Sequence, residues 1–192
     1  MKIVIIQGHP DNSEQHFGHA LAEAYARAAR ASGHEVSTID VAALDFPVLR
    51  SADEWKNQAP VEGIADSQRR IHEAAHIAVF YPLWLGSMPA LLKAFFEQLF
   101  RPGYAMHMDS ELDQWTRLLR GKTGRLVVTL GMPGLARRMS YRALNLKSPE
   151  RNMLKFAGIK PVRATFIGLV DSGEKQREKA LKQMQYLGAR AR

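Results

Sequence analysis

Leu83-Trp84-Leu85 follows an apolar run, Ile77 to Tyr81, that Pro82 closes. The run has the character of a strand buried on both faces, and proline cannot donate to a sheet ladder. A tryptophan between two leucines in a turn past the carboxyl end of such a strand is poorly placed for the core. It is well placed for a ligand, because open parallel sheets bind ligands beyond the carboxyl ends of their strands. Packing under a neighbouring loop is the alternative.

Two other stretches fit ligand-facing loops. Gly8-His9-Pro10-Asp11-Asn12-Ser13 comes after the β-branched run of Lys2 to Gln7. From Glu14 the pattern is helical, with Phe17, Ala20, Leu21, Ala24, Tyr25 and Ala28 on one side. This order puts Ser13 at or beside a helix N-terminus, where N–H groups and the dipole favour a phosphate. A plain N-cap role, contributing about 1 kcal/mol, is compatible with that. Thr129-Leu130-Gly131-Met132-Pro133-Gly134 ends another apolar run, and its glycines permit close backbone approach or simply form a turn. No G-x-G-x-x-G dinucleotide fingerprint is present.

Two motif matches lack their context. His72-Glu73-Ala74-Ala75-His76 reads H-E-x-x-H, but zinc chemistry needs both histidines on one helix, and a buried strand begins directly after His76. Gly121-Lys122-Thr123 has Thr116 where a P-loop needs its first glycine. No metal is expected.

The elements that must hold these loops alternate. Strands are expected at Lys2–Gln7, Glu35–Asp40, Ile77–Tyr81 and Gly124–Thr129, and within Pro161–Val170. Helices are expected from Glu14 to Gly33, over Ile64–Ala75, from Pro89 to Pro102, over Ser148–Phe156 and over Lys175–Gly188. Leu91, Leu92, Phe95, Phe96, Leu99 and Phe100 recur at helical spacing. Asp45 to Gly63 reads as one long irregular loop carrying Trp55, either a dimer-interface anchor or locally packed. The pattern is α/β with a five-stranded parallel sheet, and 192 residues fit one domain spanning 1–192.

Composition narrows the function. The chain has no cysteine, which removes disulfides, thiolate metal sites and thiol catalysis and suits a reducing cytoplasm. No apolar run reaches membrane-spanning length. The net charge of +8 comes without a nucleic-acid-reading motif, so nucleic acid is not an expected partner. Attraction of an anionic cofactor explains part of it.

Pro82-Leu83-Trp84-Leu85-Gly86, followed by Met88-Pro89-Ala90-Leu91-Leu92-Lys93 and Phe96-Glu97, resembles the flavin loop of the flavodoxin-like NAD(P)H:quinone reductases. Gly8-His9-Pro10 and Ser13 resemble that family's His-Pro-x-x-Ser phosphate loop. His16 replaces the asparagine many relatives carry three residues after the serine. Thr129 and Gly131 match the family's Thr-Thr-Gly-Gly loop, whereas Leu130 and Met132 do not.

The resemblance covers nearly the whole chain. It implies a flavodoxin-like three-layer sandwich with strand order 2-1-3-4-5 and a flavin held by three groups of residues. These are His9, Ser13, His16 and Phe17; Pro82, Leu83, Trp84 and Leu85; and Thr129, Leu130, Gly131 and Met132. It further implies a homodimer in which NAD(P)H reduces FMN or FAD, which in turn reduces a quinone or similar small molecule. The chain's brevity favours FMN. The tyrosine and histidine that assist hydride transfer in the best-known relatives have no match, Tyr141 being wrongly spaced, so no catalytic side chain is assigned. The alternatives are a regulatory flavoprotein subunit of a membrane transporter of the potassium-efflux type, or a flavin-free binding protein.

Overall fold

Ile3, Val4, Ile5 and Ile6 are β-branched and completely buried, as a central strand of a parallel sheet requires. They belong to β1 (Lys2–Gln7). The structure, a computed structural model, describes residues 1–109, 114–131, 149–168 and 173–191. The other strands are β2 (Glu35–Asp40), β3 (His76–Pro82), β4 (Met106–Asp109), β5 (Gln114–Arg117), β6 (Thr123–Leu130) and β7 (Val162–Gly168). The helices are α1 (Phe17–Ala31), α2 (Ala52–Asn57), α3 (Glu62–Glu73), α4 (Ala90–Leu99), α5 (Pro149–Phe156) and α6 (Glu174–Ala189).

The main sheet has the order β2-β1-β3-β6-β7, all parallel, which is the expected 2-1-3-4-5 arrangement. Register runs through Val4↔Ile77, Val79↔Leu126 and Leu126↔Ala164. Alternation along the strands divides the core in two. Ile3, Ile5, Ala78, Phe80 and Val127 pack with residues of α1 and α6. Val4, Ile6, Val79, Leu126 and Val128 pack with residues of α3, α4 and α5. In α4, Leu92, Phe95, Phe96 and Leu99 fill that second layer.

α1 and α6 approach so closely that a Cβ on Gly188 would lie 2.2 Å from the Tyr25 carbonyl oxygen. Neither backbone can yield without moving a helix. Gly188→Ala is expected to cost about 3 kcal/mol, the upper part of the usual overpacking range. Chemical denaturation measures this, and an unchanged midpoint would contradict the packing.

Three expectations need correction. The Asp45–Gly63 stretch is not wholly irregular. It contains α2, where Ser51 Oγ accepts from Glu54 N at 3.1 Å and Asp53 and Glu54 sit in the first turn. α3 also begins two residues earlier than expected. Arg101 holds this region down, donating to the carbonyls of Glu54 (2.8 Å) and Gln58 (2.6 Å), while Gln98 Nε2 donates to Pro47 O at 2.6 Å. Trp55 is half-buried against the core beneath, which fits the local-packing reading.

Second, β4 and β5 form an antiparallel hairpin, with Met106↔Arg117 in register, between α4 and β6, where no strand was expected. Third, α1 begins at Phe17 rather than Glu14, with His16 at the N-cap. The reason lies in Asp11. Its Oδ1 accepts from both the N–H (2.8 Å) and the Oγ (2.6 Å) of Ser13, and its Oδ2 lies 3.0 Å from His16 Nε2. Side-chain bonds of this kind compete with helix for the same backbone.

Candidate active site

The carboxyl ends of β1, β3 and β6 lie side by side, and backbone bonds tie their loops together. Gly8 N donates to Phe80 O at 2.7 Å, joining the β1 loop to β3. Leu83 N donates to Thr129 O at 2.8 Å, joining the β3 loop to β6. A Cβ on Gly8 would meet Leu92 Cδ2 at 2.5 Å, so any larger residue there would displace the buried Leu92 side chain of α4.

After β3 the chain makes a closed reversal. Trp84 N donates to Ser87 O at 2.9 Å and Ser87 N to Trp84 O at 3.0 Å. The two central residues, Leu85 and Gly86, have φ of 49° and 84°. That pair of positive angles belongs to a type I′ turn, natural for Gly86 but costing Leu85 roughly 1 kcal/mol. Leu85 is fully exposed and Trp84 is 49% exposed. A strained backbone that leaves Leu85 in solvent and Trp84 half in solvent is not explained by core packing, which favours the ligand reading of Trp84 over packing under a loop.

Beside this turn stands a cluster of imidazoles. The His9 and His16 rings stack with centroids 3.8 Å apart, and His9 meets Trp84 edge-on at 6.0 Å. His16 and His19 are 5.7 Å apart, and His16 N donates to His19 Nδ1 at 3.1 Å, closing the start of α1. Burial pushes both His9 and His19 below the ordinary imidazole range. The Ser13 hydroxyl and N–H, followed by His16, hold the Asp11 carboxyl well below the usual carboxylate range. A phosphate here would meet His16 and the Phe17 and Gly18 N–H groups that open α1, since the His19 N–H already donates to His16 O at 2.9 Å. It would also displace the Asp11 carboxylate from Ser13.

Of the expected site residues, the structure brings together His9, Ser13, His16, Pro82, Leu83, Trp84, Leu85 and Thr129. Ser13 is not the N-cap, and both its donors are engaged by Asp11. The side chains of Phe17 and Leu130 are buried in the core, which leaves their main chains to face a ligand. Gly131 is exposed, with open space where a Cβ would stand. Met132 lies outside the described residues.

Sequence reasoning missed His19, whose spacing of three from His16 puts both on one helix end, and Asp11. It also missed Arg177 of α6, whose guanidinium carbon sits 4.7 Å from the Phe17 ring centroid. Among the described residues, Asp11, Glu14 and His16 each offer one ligand atom within 4.8 Å of the others. The Asp11 oxygens already serve Ser13 and His16.

The H-E-x-x-H residues are split as expected. α3 ends at Glu73, and His76 opens β3 with its Nδ1 2.6 Å from Thr123 Oγ1. Burial, then Arg125, pushes His76 from about 6.5 to about 4. The unfolded chain binds this proton more readily. Stability is therefore full above pH 6.5 and is lost as pH falls from 6.5 towards 4. The loss should approach about 3 kcal/mol. Denaturation midpoints measured across that window in halide-free buffer test it, with His76→Gln expected to remove this component.

Comparison with known proteins bears on the family. A family model described as flavodoxin-like fold, Flavodoxin_2, matches residues 1–187. An uncharacterized NAD(P)H oxidoreductase of Haemophilus influenzae is 29% identical over 134 residues, covering 68% of this chain. A ribosyldihydronicotinamide dehydrogenase-like protein of Penicillium crustosum is 25% identical over 179 residues, covering 80% of this chain. The matches span 65% of the length of each of these two relatives. Among solved structures, an NAD(P)H:quinone oxidoreductase from Methanothermobacter marburgensis superposes with a TM-score of 0.78 at 21% identity, covering 98% of both chains. An FMN-dependent NADH-azoreductase from Bacillus anthracis, in complex with FMN, gives 0.73 at 14% identity, again covering 98% of both. With strand order, loop positions and a match over residues 1–187 in agreement, the chain belongs to the flavodoxin-like fold family, Flavodoxin_2.

Proposed function

We propose that the protein holds FMN at the joined ends of β1, β3 and β6 and acts as an NAD(P)H-dependent oxidoreductase on a quinone or similar small acceptor. The observation that carries this reading is the Trp84–Ser87 turn, which keeps Trp84 and Leu85 in solvent against a backbone penalty. A flat, partly apolar ring is the group such a turn accommodates. The solved relative holding FMN and the oxidoreductase relatives support the same assignment.

The residues fit the cofactor's two ends. Trp84 and Leu85 cover the ring, and the main chain at Thr129–Gly131 borders it. His16, Ser13 and the first turn of α1 take the phosphate once the Asp11 carboxylate turns away. Bound flavin supplies the hydride acceptance and donation. The chain supplies orientation and a site from which the ring face remains reachable. The protein is further taken to work as a homodimer in the cytoplasm, a reading supported by the family resemblance and the lack of cysteine.

Purified protein should carry flavin absorbance, and denaturation should release FMN, identified by mass. Under anaerobic conditions FMN-loaded protein should oxidise about one equivalent of NADH or NADPH per flavin by itself, and turn over repeatedly only when a quinone is present to accept the electrons. Protein that takes up no flavin and shows no such turnover would overturn the reading.

A further inference from the structure

Tyr25, His76 and Arg125 share one neighbourhood between α1 and the sheet, at the end remote from the β3 and β6 loops, Arg125 standing two residues along β6 from the residue paired with His76. Tyr25 and His76 are completely buried, and Arg125 is 5% exposed. Each keeps one buried polar atom without a hydrogen-bond partner: Tyr25 Oη, His76 Nε2 and Arg125 Nε. Among the described residues these three atoms are the whole of that class. Buried polar atoms are normally satisfied, so three orphans from three different elements in one neighbourhood call for a ligand.

The geometry is shared. The Tyr25 and His76 rings stack with centroids 6.4 Å apart, and Arg125 is near enough to act on the ionisation of both. Their other bonds are fixed. His76 Nδ1 lies against Thr123 Oγ1, and Arg125 Nη1 donates to Thr165 Oγ1 at 2.6 Å. In the tautomer in which the Thr123 hydroxyl donates to Nδ1, His76 presents Nε2–H as a donor. Burial pushes the Tyr25 hydroxyl up to about 12, which keeps its proton in place as a third donor.

Apart from the Tyr25 hydroxyl, which keeps its proton, the groups acting on this pair are basic side chains: Arg125, Arg163 and His34 on His76, and Arg163 on Arg125. No carboxylate of the described residues is among them. A buried guanidinium needs a counter-charge, and none of these neighbours provides it. Three single N–H or O–H donors, with one end of the guanidinium already engaged by Thr165, suit a compact monoanion better than a phosphate.

We propose that Tyr25 Oη, His76 Nε2 and Arg125 Nε bind a monovalent inorganic anion of chloride size. The anion pins α1 to β3 and β6, and so steadies the helix whose other end carries the His16 cluster. The proposal is independent of the flavin reading.

The test uses the whole protein with bromide and chloride as probes. Crystals grown in sodium bromide should show an anomalous peak between the three side chains. At constant ionic strength, replacing gluconate by chloride should raise Tm by about 3 °C, as binding to the native state alone predicts. Arg125→Met should abolish the chloride-specific rise, and Tyr25→Phe should reduce it. If Arg125→Met does not fold, the wild-type bromide peak decides. A water without anomalous signal at this position, or equal Tm in chloride and gluconate, would overturn the proposal.

Discussion

His16→Asp should weaken FMN binding roughly 100-fold while leaving the protein folded. Aspartate is a preferred N-cap residue, so α1 keeps its start. The substitution places a second carboxylate next to Asp11, which already accepts from Ser13 and approaches His16 at 3.0 Å. A bound phosphate would face both. Two unit charges 4 Å apart interact by about 4 kcal/mol at an effective dielectric of 20, and solvent at this partly exposed position reduces that to about 2–3 kcal/mol. Such a loss corresponds to roughly 30- to 150-fold in affinity. Riboflavin, which has no phosphate, is the control and should bind both proteins alike. Equal weakening of FMN and riboflavin would place the effect at the ring, and unchanged FMN affinity would remove His16 from the site.

Phe96→Ala should cost about 3–5 kcal/mol of stability, whereas Trp84→Ala should cost far less. Phe96 is buried, edge-on to Phe95 at 5.6 Å and stacked on Phe100 at 5.4 Å, so its removal opens a cavity in a close-packed layer. Trp84 is half in solvent before any ligand arrives. Its loss should instead appear in flavin affinity, as about 0.5–1.5 kcal/mol of aromatic contact, or roughly two- to tenfold. Urea denaturation and flavin titration of both variants separate the two roles. Comparable destabilisation by both substitutions would make Trp84 a core residue.

Much of the fold was legible because central parallel strands are apolar on both faces. Ile3–Ile6 and Ile77–Tyr81 stand out as unbroken runs, and the strand expected at Glu35–Asp40 coincides with β2. The β4–β5 hairpin escaped notice for the opposite reason. Its strands are four residues each, Met-His-Met-Asp and Gln-Trp-Thr-Arg, too short to give a period. α2 carries its cap signature, Ser51 to Glu54, but none of its six residues is buried, so apolar spacing could not reveal it.

The site shows the same division. The turn containing Trp84 was legible because a large aromatic beyond a strand end needs a reason to be there. The start of α1 was not, because Asp11 bonds to Ser13 and reaches His16, and these side-chain contacts hold the chain out of helix for three further residues. The sequence pattern accordingly places Ser13 one turn too close to the helix. His16, both a departure from the family pattern and an expected flavin-holding residue, is the residue at the N-cap.

The most direct test of the central claim is titration of flavin-free protein with FMN, followed by the flavin difference spectrum and tryptophan fluorescence together. The account predicts saturation at one FMN per chain, with quenching that Trp84→Ala largely removes and affinity that His16→Asp largely abolishes. Absence of saturable binding, or binding indifferent to both substitutions, would contradict a flavin site at the ends of β1, β3 and β6.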